Sequence, residues 1–168
     1  FHRQHFTPND FHPRTLVGYP GVVLGVGKAH VGEFGSREII AKTKSELITG
    51  IASGGIAILG TYDEFTPKMV VPSGVKTLFF GEKNNCEIRA ADIEVREGRA
   101  HFDLVTPKGR ASVSLQLLGL HQISNALATA AVATALDIPI DSISAALSTA
   151  EVSSKWRMEI STVGEIVL

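Results

Sequence analysis

The chain has 168 residues, of which 44% are hydrophobic and 20% charged, and its formal net charge is −1. These values are typical of a globular protein with one buried core, and a charge so close to zero argues against a broad nucleic-acid-binding surface. The single cysteine, Cys86, excludes an internal disulfide and indicates a reducing, cytoplasmic compartment, and no apolar run is long enough to predict a membrane span.

Residues 1–20 differ in composition from the rest of the chain. They hold three of the six histidines and three of the seven prolines, and they show neither a helical nor a strand period. We interpret them as an irregular or foreign leader, with a metal-binding histidine cluster as the minor alternative. Because the first residue is not methionine, we expect the chain to be a fragment or a processed product.

The next forty residues predict a strand, a helix and a second strand. Residues 21–27 are a continuous apolar run, typical of a strand buried in a parallel sheet. Ser36 suits the N-cap of a helix that ends near Gly50. Residues 55–60 predict the second buried strand. This order indicates one right-handed crossover unit and therefore an α/β fold.

The rest of the chain predicts a meander followed by two helices. Four short, partly alternating segments run from Lys76 to Gly119, and turns at 96–98 and 107–109 separate the later ones, which predicts an antiparallel meander. An alanine-rich helix follows, and Pro139 stands near the first turn of another. A hairpin around Gly164 is predicted at the end.

The loop after the first strand reads GVGKAHVGEFGS, residues 25–36, and looks almost like a phosphate loop. A Walker phosphate loop needs glycine where this chain has Val22 and a hydroxyl side chain where it has Ala29, so that interpretation fails twice. His30 and Glu33 then project from the carboxyl end of a buried strand, where open α/β sheets bind ligands. A solvated turn and a metal or phosphate site both remain open.

Lys44 stands on the apolar stripe of the predicted helix, four residues after Ile40 and three before Leu47. A lysine that faces a core without a partner is costly. Either its amine reaches solvent along the stripe or it is held at a site.

Three segments, in this order, resemble the central ATPase domain of the Mur ligases: GVVLGVGKAHVGEFGSREIIAKTKSEL, LLGLHQISNALATAAVATALDIPIDSISAAL and SSKWRMEI. Each alone is a weak match, but the three together are specific. The resemblance covers about residues 21–168. It implies an incomplete central domain that lacks its phosphate loop, with a mostly parallel sheet, flanking helices and a small antiparallel meander.

The resemblance also implies roles for single residues. His30 matches a histidine that binds magnesium, and Lys44 matches a lysine that is carbamylated in the family, which makes it the candidate catalytic residue. Four residues match positions near the nucleotide: Asp63, His121, Asn125 and Arg157. Gly60 and Gln122 stand where the family has asparagine, and we expect both departures to weaken nucleotide binding.

The activity that the resemblance implies is ATP- and Mg²⁺-dependent ligation. The carboxylate of a UDP-MurNAc-tripeptide would attack the γ-phosphate of ATP, and the amine of D-alanyl-D-alanine would then displace phosphate from the acyl phosphate. Other Mur ligases and folylpolyglutamate synthase are the alternatives within this enzyme class.

The 168 residues contain no phosphate loop, so we expect this chain alone to bind no nucleotide firmly and to be inactive. The alternative from another class is a folded, non-catalytic module, self-associating or engineered. A central sheet without its flanking segments would leave a strand edge unpaired, so we expect a homo-oligomer.

Overall fold

The computed structural model describes residues 20–27 and 36–151, and the backbone of 162–163 and 166–167. Six strands form one sheet in chain order: β1 Pro20–Val23, β2 Ile56–Gly60, β3 Lys76–Gly81, β4 Ile88–Arg96, β5 Arg99–Thr106 and β6 Gly109–Leu118. The helices are α1 Arg37–Thr49, α2 Gln122–Ala135 and α3 Ile140–Thr149, with a 3₁₀ turn at Thr66–Lys68. None of the described helices has the length and apolarity to cross a membrane.

The sheet is parallel on one side and antiparallel on the other. Strands β1 to β4 pair in parallel, and β4, β5 and β6 pair antiparallel. Helix α1 connects β1 to β2. This arrangement confirms the predicted α/β class with a mostly parallel sheet, flanking helices and a small antiparallel meander.

The predicted meander was wrong at its beginning, because β3 belongs to the parallel part of the sheet. Lys76 pairs with Ile56 and Phe80 with Gly60, both in parallel register. The physical reason is burial on both faces: Phe80 lies in the core under α2, whereas Phe79 packs on the opposite core under α1. Strands covered on both sides are typical of parallel sheets.

Strand β1 is shorter than the predicted 21–27. Its pairing with β2 ends at Val23, opposite Leu59. Beyond Val23, peptide groups of Gly25 and Val26 bind side chains from other elements. The apolar run could not reveal this, because Val26 is still 2% exposed and therefore remains part of the interior.

Two hydrophobic cores lie on opposite faces of the sheet. The larger core joins β2 to β6 with α2 and α3, and its fully buried residues include Ile58, Phe80 and Leu127. The smaller core packs Ile48 of α1 and the following Ile51 against β1 and β2. Helices therefore cover both faces, as the crossover unit predicts.

The caps and turns follow the local sequence. The Ser36 hydroxyl accepts a hydrogen bond from the Ile39 amide at 3.3 Å, and Gly50 ends α1, as predicted. The turn between β4 and β5 places Glu97 and Gly98 at φ of 50° and 76°, which is the left-handed geometry of a tight hairpin. Pro139 is the N-cap of α3 and so lies one position before the predicted first turn.

The last strands form a separate hairpin, in which β7 Thr162–Val163 pairs antiparallel with β8 Ile166–Val167. This confirms the predicted hairpin, whose centre at Gly164 lies outside the described residues. The leader prediction for residues 1–20 likewise falls outside them, apart from Pro20.

Helix α3 covers the outer edge of β6. The Ser144 hydroxyl donates to the Ser112 carbonyl, and the Ser114 amide donates to the Ser148 hydroxyl at 3.1 Å. These bonds satisfy peptide groups that an edge strand would otherwise offer to another chain. Within the described residues β1 pairs only with β2. The expected homo-oligomer therefore stays a prediction. The strand edge on which this prediction depends is that of β1, because α3 covers the edge of β6.

Replacing Ser148 with alanine should lower the free energy of unfolding by about 1 kcal/mol, because the Ser114 amide then loses its acceptor. Urea unfolding followed by circular dichroism measures this difference. Ser142→Ala is the matched control, since Ser142 is exposed on the same helix. Equal losses in the two variants would show that the edge contact contributes nothing.

Candidate functional site

The candidate site lies at the carboxyl ends of β1 and β2, where open α/β sheets bind ligands. Residues 24–27 leave β1 there, and residues 61–66 leave β2. The N-terminus of α1 stands beside them, because Arg37 contacts both segments. The site is built mainly by contacts between these three pieces of chain.

The chain leaving β1 crosses directly over Gly60. A Cβ atom at position 60 would lie 2.1 Å from the Leu24 carbonyl oxygen and 3.1 Å from Cζ of Phe80. Real Cβ atoms essentially never approach another atom to 2.1 Å, so only glycine fits while the Leu24 backbone is in this place. The glycine that departs from the family pattern is thus explained by close backbone packing.

Asp63 ties the two loops together. Its Oδ1 accepts from the amides of Phe65 and Thr66, both at 2.8 Å. Its Oδ2 accepts from the Val26 amide and the Thr66 hydroxyl, also at 2.8 Å. Burial alone would raise the pKa of this carboxyl group, but the hydrogen bonds, led by that of the Thr66 amide, lower it overall.

Arg37 binds the other backbone group of Val26, its carbonyl. Its Nη2 donates to the Val26 carbonyl at 3.0 Å, and its Nη1 binds Oε1 of Glu64 at 2.8 Å. The guanidinium also lies over the Phe65 ring, 5.0 Å from its centroid. Its Nε is buried and has no hydrogen-bond partner among the described residues.

Lys44 reaches this site from α1. Its Nζ donates to the Gly25 carbonyl at 2.6 Å, at the carboxyl end of β1. The expectation that Lys44 lies on a core-facing stripe was wrong: the residue is exposed, and Leu47 on the same stripe is 37% exposed. The amine is therefore not buried among apolar side chains and does not incur the cost of desolvation. It extends beyond the core to the Gly25 carbonyl, at the carboxyl end of β1.

A second group surrounds the start of α2. Gly119 has a φ of 95°, and a Cβ there would lie 2.6 Å from Cε1 of His121. Nε2 of Gln122 donates to Nε2 of His121 at 3.2 Å, which requires the tautomer with a free Nε2 lone pair. Nδ2 of Asn125 donates to Oε1 of Gln122 at 3.0 Å. Gln122 thus links the two residues expected near the nucleotide.

An open groove of about 400 Å³ runs between α2, α3 and β6. Gln122 and Asn125 stand at its wall, which is otherwise formed mainly by apolar side chains such as Leu115 and Leu147. Among the described residues, no hydrogen bond or ion pair joins the His121 group to Asp63. The described contacts place Asp63 and Lys44 against adjoining backbone groups of Gly25 and Val26, and they join His121 to Asn125 through Gln122.

His30 and Arg157 lie outside the described residues, and so do Lys28 and Glu33. The roles assigned to His30 and Arg157 stay predictions.

The donors that the structure describes do not make a magnesium site by themselves. No three His, Cys, Asp or Glu side chains cluster in this part of the chain. A carboxylate offers about four lone-pair positions, and in Asp63 four hydrogen bonds fill them. The expectation that this chain alone binds no ATP or Mg²⁺ firmly stays a prediction.

Sequence reasoning missed Arg37, Glu64 and Phe65. One signal was available: Arg37 begins α1, and the N-terminus of a helix disfavours a cation. A basic residue there points to a specific partner, although the sequence does not show which one.

The comparisons agree on one family. A model described as Mur ligase middle domain matches residues 16–133. UDP-N-acetylmuramoyl-tripeptide–D-alanyl-D-alanine ligase of Mycobacterium tuberculosis is 36% identical over 146 residues, 86% of this chain and 29% of that protein. MurF from Acinetobacter baumannii has a TM-score of 0.80 at 31% identity, with 88% of this chain and 32% of that one covered. MurF ligase from Thermotoga maritima, solved in complex with ADP, gives 0.69 at 27% identity, with 88% and 34% covered.

The chain spans about three tenths of the length of the curated relatives it matches. The family match extends from the region of β1 through the meander and most of α2, well over half of the 168 residues. The relatives and the solved structures agree in pointing to MurF within the family. The chain therefore belongs to the Mur ligase family, as a MurF-like form of its middle domain.

Proposed function

We propose that this chain is the central part of a cytoplasmic, ATP-dependent ligase that adds D-alanyl-D-alanine to a UDP-MurNAc-tripeptide during peptidoglycan synthesis. The observation that carries the proposal is the 36% identity over 146 residues with an enzyme of that name. The TM-score of 0.80 to a MurF structure supports the same assignment. Other Mur ligases match shorter stretches, such as 87 residues of a diaminopimelate ligase.

The proposed reaction proceeds through an acyl phosphate, in which the substrate carboxylate takes the γ-phosphoryl group of ATP and the incoming amine then expels phosphate. Reactions of this kind depend mainly on positioning and charge neutralisation. In this chain the described part of the site contributes position, since side chains of α1 and of the loop after β2 fix the exit from β1.

Individual residues take the following parts in the proposal. Lys44 is the catalytic candidate, carbamylated in the active enzyme, and its place at the rim of β1 leaves it accessible for that modification. His30 is the candidate magnesium ligand. His121, Asn125 and Arg157 are the candidates near the nucleotide. Asp63 was expected there too, but its filled lone pairs favour a role in holding the loops together.

A chimaera tests the proposed function. This chain would replace the matching segment of the Mycobacterium tuberculosis relative, and phosphate release would be measured with ATP, Mg²⁺, UDP-MurNAc-tripeptide and D-alanyl-D-alanine. We expect turnover by the chimaera and none by the chain alone, because the 168 residues contain no phosphate loop.

Replacing His30 with alanine in the chimaera should abolish turnover. A folded chimaera that releases no phosphate with this pair of substrates would contradict the proposal, and so would ATP turnover by the chain alone that is lost in His30→Ala.

A further inference from the structure

We propose that Asp63 and Arg37 are positioning residues: together they hold the backbone N–H and C=O of Val26, on the two sides of its Cα, and so fix the direction in which the chain leaves β1. The inference rests on the proposed function for its catalytic meaning. It deepens that function by assigning Asp63 to positioning the backbone of the site instead of contacting the nucleotide. The contacts themselves are independent of which reaction the site performs.

The backbone of Val26 is buried beyond the end of the pairing between β1 and β2. Val26 is 2% exposed, and a backbone group buried to this degree must be hydrogen-bonded. Pairing with β2 cannot supply partners, because the ladder ends at Val23. Instead the Val26 amide donates to Asp63 and its carbonyl accepts from Arg37. Both polar groups of one residue are thus satisfied by side chains from two different elements.

The hydrogen-bonding capacity of the Asp63 carboxylate is fully used. Its two oxygens accept four hydrogen bonds, each 2.8 Å long, which uses all the lone pairs that a carboxylate offers. Three of these bonds come from its own turn, and the fourth reaches 37 positions back along the chain. A ligand or metal could bind Asp63 only by displacing one of them. The carboxylate therefore connects the loop after β1 to the loop after β2 and has no free lone pair for a ligand.

The orientation of Arg37 depends on the same turn. A guanidinium at the first position of a helix gains nothing from the helix dipole. Glu64 and the face of Phe65 hold it in place, and both belong to the turn that Asp63 organises. Asp63 therefore acts on Val26 twice, directly through the amide and indirectly through the turn that supports Arg37. Removing it should disturb both contacts.

Among the residues that the structure describes, three charged side chains face this group. Arg37 and Lys44 approach from α1, and Glu64 lies beside Asp63 in its own turn. Only the ionised form of Asp63 can accept all four bonds. Its pKa is lowered in the folded chain, so this contribution to stability is present above the unfolded value and is lost as the pH falls through the folded value.

Nuclear magnetic resonance of the whole chain tests the inference. An amide that donates to a carboxylate is strongly polarised, so its proton signal should move when that carboxylate titrates. We expect the amide signals of Val26, Phe65 and Thr66 to shift together, with one midpoint below the ordinary aspartate value. Separate midpoints, or a Val26 signal that does not titrate, would overturn the proposal without any need for a variant.

Asp63→Asn and Glu64→Gln form the matched pair of variants. In Asp63→Asn the common titration should vanish and hydrogen exchange of the Val26 amide should accelerate at least about tenfold, the factor at the low end for loss of a hydrogen bond to an ionised group. In Glu64→Gln the common midpoint should persist. Unchanged exchange at Val26 in Asp63→Asn would contradict the inference.

The chimaera separates positioning from nucleotide contact. For a positioning residue, Asp63→Asn should lower kcat and leave KM for ATP within about twofold, whereas loss of a nucleotide contact would raise KM. A rise in KM with kcat unchanged would overturn the proposal. An inactive parent chimaera would count against the proposed function alone, because the resonance measurements need no turnover.

Discussion

Replacing Gly60 with alanine should lower the free energy of unfolding by about 3 kcal/mol, the upper part of the range for overpacked interiors. The new Cβ would lie 2.1 Å from the Leu24 carbonyl oxygen, which is part of the backbone and cannot rotate away. The φ of Gly60 is outside the left-handed region, so the cost comes from close contacts of the new Cβ and not from backbone strain. Urea unfolding followed by circular dichroism measures the loss.

Gly50→Ala is the matched control. Gly50 has a φ of −80°, and the nearest atom to its added Cβ would be the Glu46 carbonyl oxygen at 3.3 Å. We expect a change within about 1 kcal/mol in either direction. A Gly60→Ala variant as stable as the control would show that the Leu24 backbone moves aside without cost.

Gly60→Asn introduces the residue that the resemblance predicts at this position, and we expect it to be at least as destabilising as alanine. The space beside residue 60 is filled by the Leu24 carbonyl and by Cζ of Phe80. The path of the loop after β1 therefore requires glycine at position 60. Restoring the side chain without moving the loop should not restore a nucleotide contact.

The sequence was sufficient for those parts of the fold that depend on neighbouring residues. Ser36 and Gly50 mark the ends of α1 because both caps are local hydrogen-bond arrangements. The tight turn at Glu97 and Gly98 is equally local. The order of strand, helix and strand then leaves parallel pairing of β1 and β2 as the natural outcome.

Partner choice between strands was harder to predict. The segment of β3 alternates only in part, and its two adjacent phenylalanines suit either a meander or a strand buried on both faces. The second core under α1 decides between these two arrangements. Phe79 packs against this core, whose residues lie far away from it in the sequence. Strand propensity reflects such tertiary surroundings and does not fix them.

The site shows the same limit more sharply. Val26 and Asp63 are 37 positions apart, and no local pattern links them. The helical stripe correctly placed Ile40 and Ile48 in the interior, but it could not show that Lys44 reaches beyond the core to Gly25. The resemblance supplied the modification expected of Lys44. The three-dimensional contacts were needed to favour a role for Asp63 in holding the loops together over a contact with the nucleotide.

Replacing Lys44 with alanine should remove turnover by the chimaera, by at least about a thousandfold, a loss comparable to that of a key group for charge stabilisation. The same change should alter the free energy of unfolding by less than about 1 kcal/mol, because the residue is exposed and its one hydrogen bond within the described part of the chain is to the Gly25 carbonyl. Lys42→Ala is the matched control, since Lys42 is an exposed lysine of the same helix. It should leave both turnover and stability unchanged.

Labelling with carbon-13 bicarbonate distinguishes the two states proposed for Lys44. In this chain alone the amine donates to the Gly25 carbonyl, and no cluster of metal ligands occurs among the described residues to hold a carbamate. We therefore expect no carbamate carbon signal from the chain, and a signal in the active chimaera that disappears in Lys44→Ala. A carbamate signal from the chain alone that Lys44→Ala removes would show that the site is formed without the rest of the enzyme. Turnover by Lys44→Ala at the parent rate would exclude the catalytic role altogether.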